Sequence, residues 1–271
     1  VLWIAVPLGL LTGAVMGALG GGGAILTIPV LIYIVGMPPH DATTASLVII
    51  GVSAASTALS HVRAGTARVP EALVLAAVGT VGTYAGSLAS AAVAAPVLVV
   101  LLASLLAVVG ALMLRQPSAV MPDADAFTDE DVPGRHRPTV AESASGPLRR
   151  FGPVVAVGVG VGLLTGFFGV GGGFAIVPAL TLVLGYPMRT AIGTSLLVIA
   201  LNSATALAAR MIHGVSLDWP LVGLFTVGAM AGGLIGVRLA RRASPQTLRV
   251  GFAMLLFLVA AYMLGSAVAH R

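Results

Sequence analysis

The chain has 271 residues, of which 58% are hydrophobic and 8% charged, and none is cysteine. Soluble domains carry about 25% charged residues, so a mean hydropathy of +1.06 excludes a soluble enzyme or a nucleic-acid binder, despite a pI of ≈ 10.7. Without cysteine there are no disulfides, thiolate metal sites or cysteine nucleophiles.

The charges fall in clusters. No Asp, Glu, Lys or Arg occurs in 1–40, 42–62, 72–114, 151–188, 190–209, 219–237 or 250–270. A bilayer core of roughly 30 Å is crossed by about 20 helical residues, so 72–114 predicts two crossings, broken near Pro96, and 220–242 and 245–268 predict another pair. The first residues lack a basic n-region and continue apolar past any cleavage point, so they are expected to stay as a membrane segment rather than a cleaved leader. Residues 115–150 hold 11 of the 23 charges, five prolines and one aromatic, Phe127. Such a composition buries too little apolar surface to offset ordering. It predicts a flexible linker between a first membrane repeat, 1–114, and a second, 151–271.

Shifting the chain by 149 residues aligns 13–114 with 162–263 without a gap. Gly13, Gly17, Gly20, Gly22, Gly23, Pro29, Gly36 and Pro38 fall on Gly162, Gly166, Gly169, Gly171, Gly172, Pro178, Gly185 and Pro187. Glycine and proline set backbone geometry, so the halves are expected to share one fold. A single helix over residues 1–35 would be about 52 Å long, too much for one crossing. The glycines at 20–23 and 169–173 therefore predict turns inside the membrane, each followed by a half-helix ending at Gly36 or Gly185. Matching interruptions in two halves point to a transporter site.

With one re-entrant or broken unit and three crossings per half, the second half is inverted. This topology puts 12 of the 14 arginines on one side, leaving Arg210 and Arg271 on the other. A parallel arrangement splits them 9 to 5. The positive-inside rule selects inversion and a cytoplasmic linker. The expected fold class is all-α: a polytopic inner-membrane protein of two inverted helical repeats.

The Gly-rich openings GALGGGGAILTIP and GFFGVGGGFAIVP, the stretches Ala42–Leu47 and Ala191–Leu196, and the His213-Gly214, Asp218-Trp219 pattern carry a resemblance. On these residues the chain resembles the sulfite exporter TauE/SafE family of membrane transporters. The likeness covers both repeats. The first copy departs from it, since Thr-Ala-Arg-Val-Pro follows Gly65 with no Asp-Trp. The resemblance implies transport, usually export, of small sulfur-containing anions such as sulfite, sulfoacetate or thiosulfate.

The residues agree with an anion. Half-helices starting near Gly20, Gly21, Gly22, Gly23 and near Gly169, Gly171, Gly172, Gly173 would aim N–H groups and a positive dipole end at the membrane centre. Thr43, Thr44, Ser46, Thr194 and Ser195, about one turn into the next helix, could donate hydroxyls, with Asn202 and its counterpart Ser53 two turns deeper. The bland alternative is that these small polar residues pack helices. Asp41, Glu71 and Asp218 all lie near segment ends, leaving no acid mid-membrane for a cation or proton relay. His61 aligns with Arg210, and inversion places them at opposite mouths, for gating or coupling or simply reaching toward water. No metal cluster, cofactor or nucleotide fold is expected. A coupling proton or other ion stays open. The competing functions are an anion channel, a carrier of other small organic anions and, far behind, an intramembrane hydrolase.

Overall fold

The computed structural model describes residues 2–90, 93, 95–115, 147–168, 173–211 and 217–269. Ten helices follow one another, with no strand among the described residues. They are α1 (Leu2–Leu19), α2 (Gly22–Pro29), α3 (Pro39–Arg63), α4 (Val69–Ser90), α5 (Ala95–Arg115), α6 (Pro147–Phe168), α7 (Gly173–Pro178), α8 (Met188–Met211), α9 (Trp219–Arg242) and α10 (Pro245–Ala269). Five of them, α3, α4, α8, α9 and α10, are long and apolar enough to cross a membrane among the described residues. The chain is an integral multi-pass membrane protein. Most of the segment read as linker, 116–146, lies outside the described residues; α6 begins at Pro147.

Each half opens on a broken helix, as the glycine pattern predicts. The chain leaves α1 at Gly20, which sits at φ 76°, a left-handed conformation suited to glycine. It then folds back, so that Gly23 lies against Met16 and the Thr12 carbonyl. Pro29 has no N–H to give to the preceding turn, and the helix widens there into a π-helical turn over Val30–Ile34. The second copy repeats this after Pro178, over Ala179–Val183. Gly36 (φ 81°) and Gly185 (φ 66°) end the two half-helices. Beyond them, Met37 and Tyr186 donate to the carbonyls of Leu31 and Leu180, both at 2.9 Å, a Schellman-like end one residue wider than usual, as the π-helical turn before it requires. Carbonyls that would otherwise be orphaned at the half-helix ends are satisfied this way.

Helices pack mainly across the two halves. Gly9, Gly13 and Gly17 of α1 lie on Phe225, Ala229 and Gly233 of α9, while Gly228, Gly232 and Gly236 of α9 lie on Val6, Leu10 and Ala14. Both series ascend, so α1 and α9 run in the same direction. The equivalent pair, α4 and α6, does likewise: Gly82 meets Val159 and Gly162, and Gly86 meets Leu163 and Phe167. Helices α3 and α8 run oppositely, with Gly51 against Ser203 and His61 against Gly193. Apolar burial gives little drive between helices in lipid, so association rests on close backbone approach, which small residues spaced four apart allow. The buried cluster built around Leu106, Phe174, Leu196 and Phe252 draws on both halves. Trp3, Val81, Tyr84 and Leu88 are exposed, as lipid-facing side chains would be.

This packing is open to a direct test. Gly17→Val places methyl groups against the Gly233 backbone and should destabilise the purified protein by about 1–3 kcal/mol, read as a lower melting temperature. Gly223→Val meets nothing within 4 Å and should leave it unchanged.

Candidate functional site

The starts of the two half-helices meet across the repeats. Gly21 and Gly173 lie backbone against backbone, with the Gly21 carbonyl 3.0 Å from where a Cβ of Gly173 would stand. Gly20 faces the Ser195 hydroxyl, which lies 2.8 Å from the position of a Gly20 Cβ. Gly22 opens α2, Gly21 precedes it as N-cap, and no side chain caps its first N–H groups. Gly169, Gly171 and Gly172, expected to do the same for α7, lie outside the described residues.

The hydroxyls expected at the site fall into two sets. Ser46 and Ser195 are buried and donate back along their own helices, to the carbonyls of Thr43 and Ile192, each at 2.8 Å. This local bonding is the usual packing mode of a helical serine. The threonines link the halves instead. Thr194, fully buried, accepts from the backbone N–H of Arg68 at 3.1 Å. Thr43 and Thr44 donate to the His40 carbonyl and both accept from Arg210 Nη1, at 2.9 and 2.7 Å.

Arg210 and His61 stand at opposite ends of the α3–α8 pair, as their alignment predicts. Arg210, near the end of α8, closes the start of α3 through the two threonines. At the other end the position equivalent to Thr44 is Gly193, and the His61 ring packs into the space this leaves. His61 Nδ1 lies 2.9 Å from the Thr66 hydroxyl, while its Nε2 is buried with no hydrogen-bond partner. The ring borders a cavity of about 310 Å³ lined also by Thr66, Arg189, Ile192, Val237 and Arg241. Asn202 lies elsewhere, on a narrow crevice between α4, α6 and α8 with Gly79, Thr83, Gly162 and Thr165. Its Oδ1 is buried and unpartnered.

The arginines around this frame escaped the motif reading. Arg68 pairs with Glu71 at 3.3 Å and sits 5.2 Å from the Tyr186 ring centroid, bridging the halves. Arg189 donates through Nη2 to the carbonyls of Arg241 and Ala243, at 3.0 and 3.2 Å, and Arg241 donates to that of Ser60 at 3.3 Å. Arg189 is the lone charge between two long apolar runs, a signal available in the sequence. The Asp218-Trp219 pair has a local explanation: Asp218 caps α9 by accepting from the Leu221 N–H at 3.2 Å.

Comparison with known proteins agrees with this architecture. Residues 5–263 match the model of the family described as sulfite exporter TauE/SafE. A probable membrane transporter protein of Xylella fastidiosa (strain 9a5c) is 34% identical over 266 residues, covering 97% of this chain and 95% of the relative. Probable membrane transporter protein YunE of Bacillus subtilis (strain 168) is 26% identical over 267 residues, with 94% of each chain covered. No solved structure matches the chain. With a family match running through both repeats and their glycine turns, the chain belongs to the sulfite exporter TauE/SafE family of membrane transporters.

Proposed function

We propose that the protein is a secondary transporter that exports small sulfur-containing anions such as sulfite, sulfoacetate or thiosulfate by alternating access. The observation that carries this reading is the meeting of Gly21 and Gly173 between two unequal ends: Arg210 fastens one, and a cavity beside His61 enters the other. Tips packed backbone to backbone suit a carrier rather than a continuous anion pore. The equivalent helices α3 and α8 run in opposite directions, which supports two inverted repeats, and with the arginine distribution a cytoplasmic linker.

In the transport cycle, the repeats part at the turns and the anion takes the N–H groups beside Gly20–Gly23 and Gly169–Gly173. Ser46, Ser195 and Thr194 supply hydroxyls around it. Glycine leaves no side chain between an oxyanion and those donors. Arg210 is the outer latch on Thr43 and Thr44, and His61 stands at the inner mouth. Neutral donors fit a family of small anions, so the sulfur class comes from the family description alone rather than from a charged pocket at the turns.

Three outcomes are expected. Cysteines placed singly at Arg63 and Arg241 should both label from the cytoplasm with impermeant thiol reagents; opposite faces would refute inversion. In proteoliposomes, sulfite flux should saturate and be stimulated by sulfite on the far side, while Gly22→Leu should abolish it in protein that still inserts and purifies. Currents far above carrier turnover would favour the channel. Arg210→Ala removes two charge-assisted hydrogen bonds worth about 1.5–3 kcal/mol each. It should raise outer-face labelling of a Ser53→Cys probe about tenfold or more, and unchanged labelling would remove the latch.

A further inference from the structure

We propose that the cavity beside His61 is a separate binding site for a small oxyanion, held by Arg189 and Arg241, where substrate gathers on the linker face before reaching the glycine turns. The identity of that anion as substrate rests on the transport reading above; the site itself does not. At about 310 Å³ the cavity is many times the ~30 Å³ share of one water in the liquid, room for a pyramidal or tetrahedral oxyanion with part of its hydration. Arg189 comes from the start of α8 and Arg241 from the end of α9, and His61 of α3 lines the cavity with them at 5% exposure with Nε2 unpartnered.

Their hydrogen bonds hold the arginines in place without neutralising them. The Nη2 groups are tied to main-chain carbonyls of Ser60, Arg241 and Ala243. Each guanidinium has five N–H donors, so others remain for a ligand. Among the described residues no acid lines the cavity and neither arginine is in an ion pair; Glu71 pairs with Arg68. Two fixed cations around one cavity repel each other, and an anion between them relieves that cost. Arginines merely reaching toward water would point away from one another rather than frame a shared space.

The opposite end of the molecule does not duplicate the site. The position 149 residues before Arg189 is His40, which is exposed and lies 3.6 Å from the Asp41 carboxylate. The site therefore belongs to one face only, the face that a substrate leaving the cytoplasm meets first. A basic pocket at this level also suits an anionic lipid headgroup. The shared chemistry is a small oxyanion, and the experiment separates its two sources.

The test is calorimetric titration of the full-length protein in neutral detergent, with sodium sulfite and sodium sulfate at fixed ionic strength. Arg189→Gln combined with Arg241→Gln should weaken binding at least tenfold. Arg241→Lys, which keeps the charge, should stay within about threefold of the parent, and Arg242→Gln, next door but outside the cavity lining, should change nothing. The site is overturned if neither salt binds, if the double variant binds like the parent, if Lys is as weak as Gln, or if Arg242→Gln loses as much. Arginine-dependent retention of phosphatidylglycerol without binding of either free anion would also overturn it, in favour of a lipid site. Gly22→Leu should lose flux yet keep this binding. Arginine-dependent sulfite binding by a parent protein that moves no sulfur anion would sink the transport reading and leave the site standing.

Discussion

Everything in this protein follows from one constraint: backbone N–H and C=O groups inside a bilayer must find partners within the protein. A helix broken halfway through the membrane exposes such groups on both sides of the break. The fold keeps its breaks by burying them against each other, Gly21 on Gly173, and closes the far end of each half-helix through Met37 and Tyr186. The glycine rows on α1, α4, α6 and α9 serve the same end, since only backbones in near contact can enclose the broken segments. Transport chemistry becomes available because the donors so protected sit where an anion could reach them once the tips part.

Much of this was legible in the sequence because glycine and proline speak directly about backbone. Gly20, Gly36 and Gly185 mark left-handed positions, and the 149-residue shift puts the two copies in register; the widened turns after Pro29 and Pro178 appear only in the fold. Helix ends near 90 and 95 and near 242 and 245 fall where the apolar runs break. What the sequence could not reveal depends on contacts between residues more than a hundred apart. The bond of Arg210 to Thr43 and Thr44 spans 167 and 166 positions. That of Arg68 to Thr194 spans 126. Neither has a local pattern.

The same distance explains how the candidate site changed character. Read along the chain, Thr43, Thr44, Ser46, Thr194 and Ser195 form two equivalent clusters of hydroxyls. In three dimensions they divide by what touches them: Ser195 stays beside the Gly20 turn, and the threonines tie one repeat to the other. The arginines, read first as a record of orientation, prove to have individual tasks on the face they share. Arg68 stacks on Tyr186 while Arg189 and Arg241 frame a cavity.

One exchange between the copies has a thermodynamic consequence. Where one repeat has Thr44 facing Arg210, the other has Gly193 facing His61. Were the repeats identical, the two arrangements of an alternating-access carrier would be related by a two-fold rotation and equal in free energy, and the empty protein would divide evenly between them. A hydrogen-bonded arginine at one end and a packed imidazole at the other remove that degeneracy. In the alternating-access cycle proposed above, the unloaded molecule would thus favour one posture, set by the Thr44-to-Gly193 and Arg210-to-His61 differences together.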